Sequence, residues 1–167
     1  MIRQATVHEV PLIMQALIAL LGKSRAPQMK YADPMTAELS VHHAIHEGRA
    51  YFVGAYFIMV DVGSDWYSPH TYLIEQIILW VPGIDNEVRW PDLPEIAPRK
   101  ATLNDAIASL DGLAAKYKAS AIAVGDTQHG MMLPSYQDHG YRVMGHQLFK
   151  EVPYGVRTED HGGAGAD

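Results

Sequence analysis

Between residues 70 and 81 the chain reads HTYLIEQIILWV, and Leu73, Ile74, Ile77, Ile78, Leu79, Trp80 and Val81 make it almost continuously apolar. A half-exposed strand alternates apolar and polar positions, whereas a strand covered on both faces reads like this one. The pattern predicts a buried strand in the middle of a sheet. Upstream, AYFVG and AYFIMVDV give two more apolar runs within residues 49–62, meeting at Gly54, a bulge or a hinge between strands. Residues 119–124 read as a further buried strand and residues 2–5 as a short first one.

Helical spacing separates these runs. Ile13, Leu17, Leu20 and Leu21 share one face, Thr6 with Glu9 forms a capping box before them, and Gly22 ends the segment. Asp33 and Pro34 make an N-cap and N1 pair for a second helix, which runs to Glu47 and stops at Gly48. Thr102 and Asp105 cap a third, with Leu103, Ile107, Leu110, Ala114 and Tyr117 on one face. Residues 131–139 read as a short helix closed by Gly140. Residues 141–152 read as a final strand pair. Between the central strand and the third helix, PGIDNEVRWPDLPEIAPR carries four prolines and little periodicity, so residues 82–99 read as one long loop. The order β-α-α-β-β-β-α-β-α-β-β predicts an α+β fold, a mostly antiparallel sheet with helices on both faces. One domain spans residues 1–152, and a Gly-rich tail follows over 153–167.

Composition narrows the chemistry. A chain of 167 residues with 48% hydrophobic and 19% charged residues is that of a soluble globular domain. The lack of cysteine excludes thiol catalysis, Cys-based metal sites and disulfides. A net charge of −6 argues against duplex nucleic acid as a partner. The apolar run over residues 10–21 is too short to span a bilayer and lacks a signal-peptide cleavage site, so no membrane partner is expected. His42, His43 and His46 form HHxxH. His42 and His46 have a spacing used for zinc, but a solvated helix face is the expectation and no metal site is assigned.

Glu75 is the residue out of place, a carboxylate inside the apolar central strand. Burial raises a carboxyl pKa unless partners compensate. Two readings fit: a general base at the lip of a cleft, or a structural carboxylate held by hydrogen bonds.

The element order and three local motifs resemble the GNAT N-acetyltransferase superfamily. IRQATVHEVPLI is similar to the family's first strand and helix, and YLIEQIILWVP to its fourth strand. SYQDHGYRVMGHQLFKEV is similar to its closing pattern through Tyr136, Gly140, Tyr141 and Lys150, and is most like GNAT-like proteins encoded by tailed bacteriophages. The resemblance covers residues 2–152. It implies a splay between the fourth and fifth strands that admits acetyl-CoA, with Leu79 and Val81 lying along the cofactor's amide arm. It implies a phosphate loop at Arg99, Lys100 and Thr102, and Glu75 and Tyr136 as catalytic base and acid. In the family the phosphate loop is Gln/Arg-x-x-Gly-x-Gly/Ala. Here Thr102 and Asn104 replace the small residues and Asp105 adds a carboxylate. That departure implies weak or absent acetyl-CoA binding.

Two function classes follow. The first is a non-catalytic, virion-associated structural or binding component, with other phage proteins or a second copy as partners, in the host cytoplasm or the virion. The second is an active N-acetyltransferase that acetylates an amine. Trp90, in the Pro-rich insert, is a candidate partner anchor, with a plug of the cleft or packing back on its own core as the alternative readings.

Overall fold

The computed structural model describes residues 2–23, 32–64, 69–89, 97–125 and 132–143. Strand β1 (Ile2–Gln4) leads through a 3-10 turn at Val7–Glu9 into α1 (Val10–Leu21). The Thr6 N–H donates to Glu9 Oε2 at 2.8 Å, as the capping pattern predicts. Helix α2 (Pro34–His46) starts where Asp33 accepts the Thr36 N–H at 2.8 Å. It ends before Gly48, whose φ of +67° suits a residue without Cβ.

Strands β2 (Ala50–Val53) and β3 (Tyr56–Gly63) form a hairpin, so Gly54 is a turn residue rather than a bulge. Its φ is +53°, and a Cβ there would sit 2.5 Å from the Ala101 Cβ. Strand β4 (Tyr72–Trp80) pairs antiparallel with β3. Helix α3 (Leu103–Lys116) then crosses over to β7 (Ala121–Val124), which pairs parallel with β4. Helix α4 (Leu133–Asp138) follows. The sheet order is β1-β2-β3-β4-β7, with three antiparallel pairs and one parallel.

The insert differs from its expected form. Residues 82–99 read as one loop, yet β5 (Glu87–Val88) and β6 (Arg99–Lys100) form a two-stranded ribbon just before α3. Val88 is buried in the α3-side core, and Asn86 ties the ribbon down. The Asn86 side chain accepts the Ala55 N–H at 3.0 Å and donates to the Ala101 carbonyl at 3.2 Å. Pairing between positions a dozen residues apart leaves no local periodicity to read. Trp90 and residues 144–167, which include most of the expected final strand pair and the tail, lie outside the described residues.

Two apolar clusters sandwich the sheet, which accounts for the continuous pattern in β4. Leu73 and Ile78 pack with Ile107, Leu110 and Tyr136 on the α3 and α4 face, while Leu79 packs with Ile13, Val41 and Phe57 on the α1 and α2 face. Leu73 and Ile78 differ by an odd number of positions and still share a face. The register explains it: Met59 pairs with Ile77 and Val60 with Glu75, so Gln76 is an extra, bulged residue.

Candidate active site

The bulge sets the geometry of the site. Parallel pairing between β4 and β7 ends at Glu75 opposite Val124, directly before Gln76. Beyond it, β4 continues to Trp80 against β3 alone, with no strand opposite residues 76–80 among the described residues. The described β4–β7 pairing therefore stops at Glu75, while β4 runs on past it.

Glu75 is the buried charged residue among the described core, 5% exposed. The Tyr136 hydroxyl donates to its Oε2 at 2.9 Å. Tyr136 is itself 2% exposed. Its ring is fixed by the end of α4. The Tyr141 N–H donates to the Tyr136 carbonyl at 3.1 Å and the Gly140 N–H to the Gln137 carbonyl at 2.9 Å, with Gly140 at φ +85°. This is a Schellman motif, and its apolar contact is the edge-on stack of Tyr136 on Tyr141, 5.4 Å between centroids. The Tyr-x-x-x-Gly-Tyr spacing thus reads as a helix stop that aims Tyr136 at Glu75.

Tyr141 is the neighbour that sequence reading left unassigned. Burial pushes its hydroxyl pKa up to about 12, with Asp111 and Glu75 adding to the shift. Its Oη is buried and has no hydrogen-bond partner among the described residues. A cavity of about 720 Å³ runs along β7 beside Tyr136, Tyr141 and Asp111. It borders the Glu75–Tyr136 pair from the β7 side and does not include the open stretch of β4.

The other candidates lie beyond Glu75 on β4 and at the start of α3. Val81 and Leu79 are buried, and the Val81 N–H donates to the Ala55 carbonyl at 2.9 Å, toward β3. Backbone groups alternate sides along a strand, so Leu79 shares that direction, and Ile78 and Trp80 turn theirs away from β3.

Arg99 and Thr102 converge on Asp105 at the start of α3. The Thr102 N–H and hydroxyl each donate to Asp105 Oδ2 at 2.7 Å, and the Asp105 N–H returns to Thr102 Oγ1 at 3.3 Å. Arg99 Nη1 donates to Oδ2 at 2.7 Å and Nη2 pairs with Oδ1. The Arg99 guanidinium, with help from Thr102, holds the Asp105 carboxyl well below the usual carboxylate range. The same contact raises Arg99. Lys100 is exposed beside them. A helix N-terminus attracts anions through its unsatisfied amides. Here the chain's own Asp105 carboxylate already takes the Thr102 amide.

The histidines of α2 do not converge. His42 lies 3.9 Å from Glu38, His46 lies 3.5 Å from Glu47, and His43 Nε2 is 3.3 Å from Arg49 Nη2. Among the described residues no group of three acidic, His or Cys side chains could hold a metal ion. No described helix is long and apolar enough to cross a membrane.

No protein-family model and no curated protein matches the chain. Solved structures do. A "possible acetyltransferase" from Clostridium difficile 630 superposes with a TM-score of 0.59 at 13% identity, covering 91% of this chain and 96% of its own. A "probable acetyltransferase" superposes at 0.51 with 16% identity, covering 95% and 99%. A "transcriptional regulator" from Bacillus halodurans C-125 superposes at 0.54 with 11% identity, covering 91% and 99%. The fold is thus the GNAT-like one that the sequence resemblance implies, a mixed, mostly antiparallel five-stranded sheet shared with structures described as acetyltransferases.

Proposed function

We propose that this chain is a GNAT-type protein acting as a non-catalytic binding component, one that does not grip acetyl-CoA by its diphosphate. The observation that carries the reading is Asp105. Its carboxylate takes the Thr102 N–H and both arms of Arg99, the groups with which the phosphate loop would hold a ligand. An incoming diphosphate must displace Asp105 and then bear its repulsion at a few Å. The side chains of Thr102 and Asn104 also keep phosphate oxygens off the backbone. The closed Glu75–Tyr136 pair supports the same reading, because each group is buried and bound to the other. The virion setting suggested by the sequence resemblance is one place for such a component.

A second reading, an active N-acetyltransferase, is favoured by the buried Glu75 at the last described β4–β7 pair, bonded by Tyr136. There Glu75 would take the proton of the attacking amine and Tyr136 would protonate the leaving thiolate. The deciding experiment removes the obstruction. The variant Thr102→Gly, Asn104→Gly, Asp105→Ala should bind acetyl-CoA at least about tenfold tighter than the native chain, a change of about 1.4 kcal/mol. Equal binding by both proteins overturns the assignment of Asp105 as the block.

A further inference from the structure

We propose that His42 and His46 of α2 form a solvent-facing chelate for a borderline divalent metal ion such as Zn2+ or Ni2+, with water completing the ion's shell. The pair lies on the face of the sheet opposite α3, apart from Glu75, Tyr136 and the start of α3, and does not depend on how those are read.

The helix supplies the spacing. Positions four apart are neighbours on one helix face, with about 5–6 Å between Cβ atoms. Two imidazoles so placed can close on one ion at about 2.0–2.1 Å each. Helical side chains lean toward the N-terminus, so the His46 ring reaches back over the turn that carries His42. That turn is anchored before any ion arrives. Val41 and Ala44 are buried beside the two histidines. The Glu47 N–H donates to the His43 carbonyl at 2.9 Å and the Arg49 N–H to the Ala44 carbonyl at 2.7 Å. Both side chains reach solvent, His42 at 45% exposure and His46 at 86%. His43 is excluded from the pair. It projects about 100° round the helix from His42. Its Nε2 sits 3.3 Å from Arg49 Nη2, so an ion there would meet a guanidinium.

The donor set chooses the ion. Imidazole suits zinc, nickel and copper, whereas Mg2+ and Ca2+ demand oxygen ligands. Carboxylates set the surroundings. Glu47 Oε1 lies 3.5 Å from His46 Nδ1, an arrangement that leaves Nε2 for the metal. Glu38 Oε1 lies 3.9 Å from His42 Nε2, one turn toward the N-terminus, where it can hold a water of the ion's shell. The net charge of −6 draws cations to the chain. Two protein ligands leave the rest of the shell to water, so the bound ion exchanges readily. This agrees with the lack of a three-residue metal group among the described residues.

The test is a titration of the full chain with zinc chloride at about pH 7.5, followed through the histidine ring signals by NMR. Zn2+ up to about 1 mM should shift the His42 and His46 rings together along one binding curve and leave His43 in place. Mg2+ at the same concentration should shift none of them. His42→Gln and His46→Gln should each weaken binding at least about tenfold, because one of the two ligands is lost. The double variant His46→Gln, Glu47→His restores the number of histidines but sets the second one five positions from His42, off the shared face. It should bind no better than His46→Gln alone. All three positions are exposed, so these changes spare the core. The absence of a joint shift, an equal response to Mg2+, or a His43 response matching that of the pair overturns the proposal. So does a double variant that binds Zn2+ like the native chain.

Discussion

Tyr136→Phe isolates the contact between α4 and the buried carboxylate of β4. The substitution deletes the hydroxyl that donates to Glu75 Oε2 at 2.9 Å and keeps the ring that stacks on Tyr141. Packing is preserved, so the cost comes from the hydrogen bond and not from a cavity. A buried bond to a group that can be charged contributes about 1.5–3 kcal/mol. For a domain of this size each kcal/mol moves Tm by about 2–4 °C, so the midpoint should fall by about 3–12 °C. Glu75→Leu alone, which removes the acceptor, should also destabilise. The double variant should lose less than the sum, with a coupling of about 1 kcal/mol or more. Thermal and urea unfolding of the four proteins measure this cycle. A coupling near zero would refute the pairing of the two residues. By contrast, Tyr136→Ala opens a cavity under α4 and should cost about 3–5 kcal/mol.

Other predictions concern the surrounding framework. Burial pushes Tyr117 and Tyr141 up to about 12, above the unfolded value near 10. Their contribution is full below pH ~10 and is lost as pH rises through the folded pKa; ultraviolet titration should show two late tyrosines, and Tyr141→Phe should flatten the alkaline loss of stability. Asp105 is shifted the other way, so its contribution is full above the ordinary carboxylate range and is lost as pH falls below it; Asp105→Ala should make the acid limb of the stability curve shallower. Gly54→Ala combines a φ of +53° with Cβ contacts of 2.5 Å to Ala101 and 2.6 Å to Asn86, and should destabilise by about 1–3 kcal/mol in urea unfolding; a neutral result would contradict the turn geometry.

The central strand was legible because both of its faces are buried, which leaves a run of large apolar residues that no other element explains. Thr6, Asp33, Thr102 and Gly140 were legible for a local reason: a cap is set by residues three or four apart. The bulge at Gln76 was not. A polar residue inside an apolar run looks like a solvent-facing position, and only the register against β3 shows that it is extra. The β5–β6 ribbon was missed because its pairing is non-local and its strands are two residues long. At the site, the resemblance singled out Glu75 and Tyr136. That they bond each other across 61 residues of sequence required the fold. Asp105 was legible as a charge in the wrong place. Its capture of Arg99 and Thr102 depends on side-chain direction, which spacing does not encode.

The account turns on whether the start of α3 is closed to a diphosphate, and acetyl-CoA titration of the native chain asks that directly. A ligand at a hundred times its Kd stabilises by about 2.7 kcal/mol, which raises Tm by about 5–11 °C here. With acetyl-CoA at about 0.1 mM, far above a micromolar Kd, the account predicts no shift in Tm and no heat of binding. A rise of several degrees, with Asp105 still in place, would contradict it.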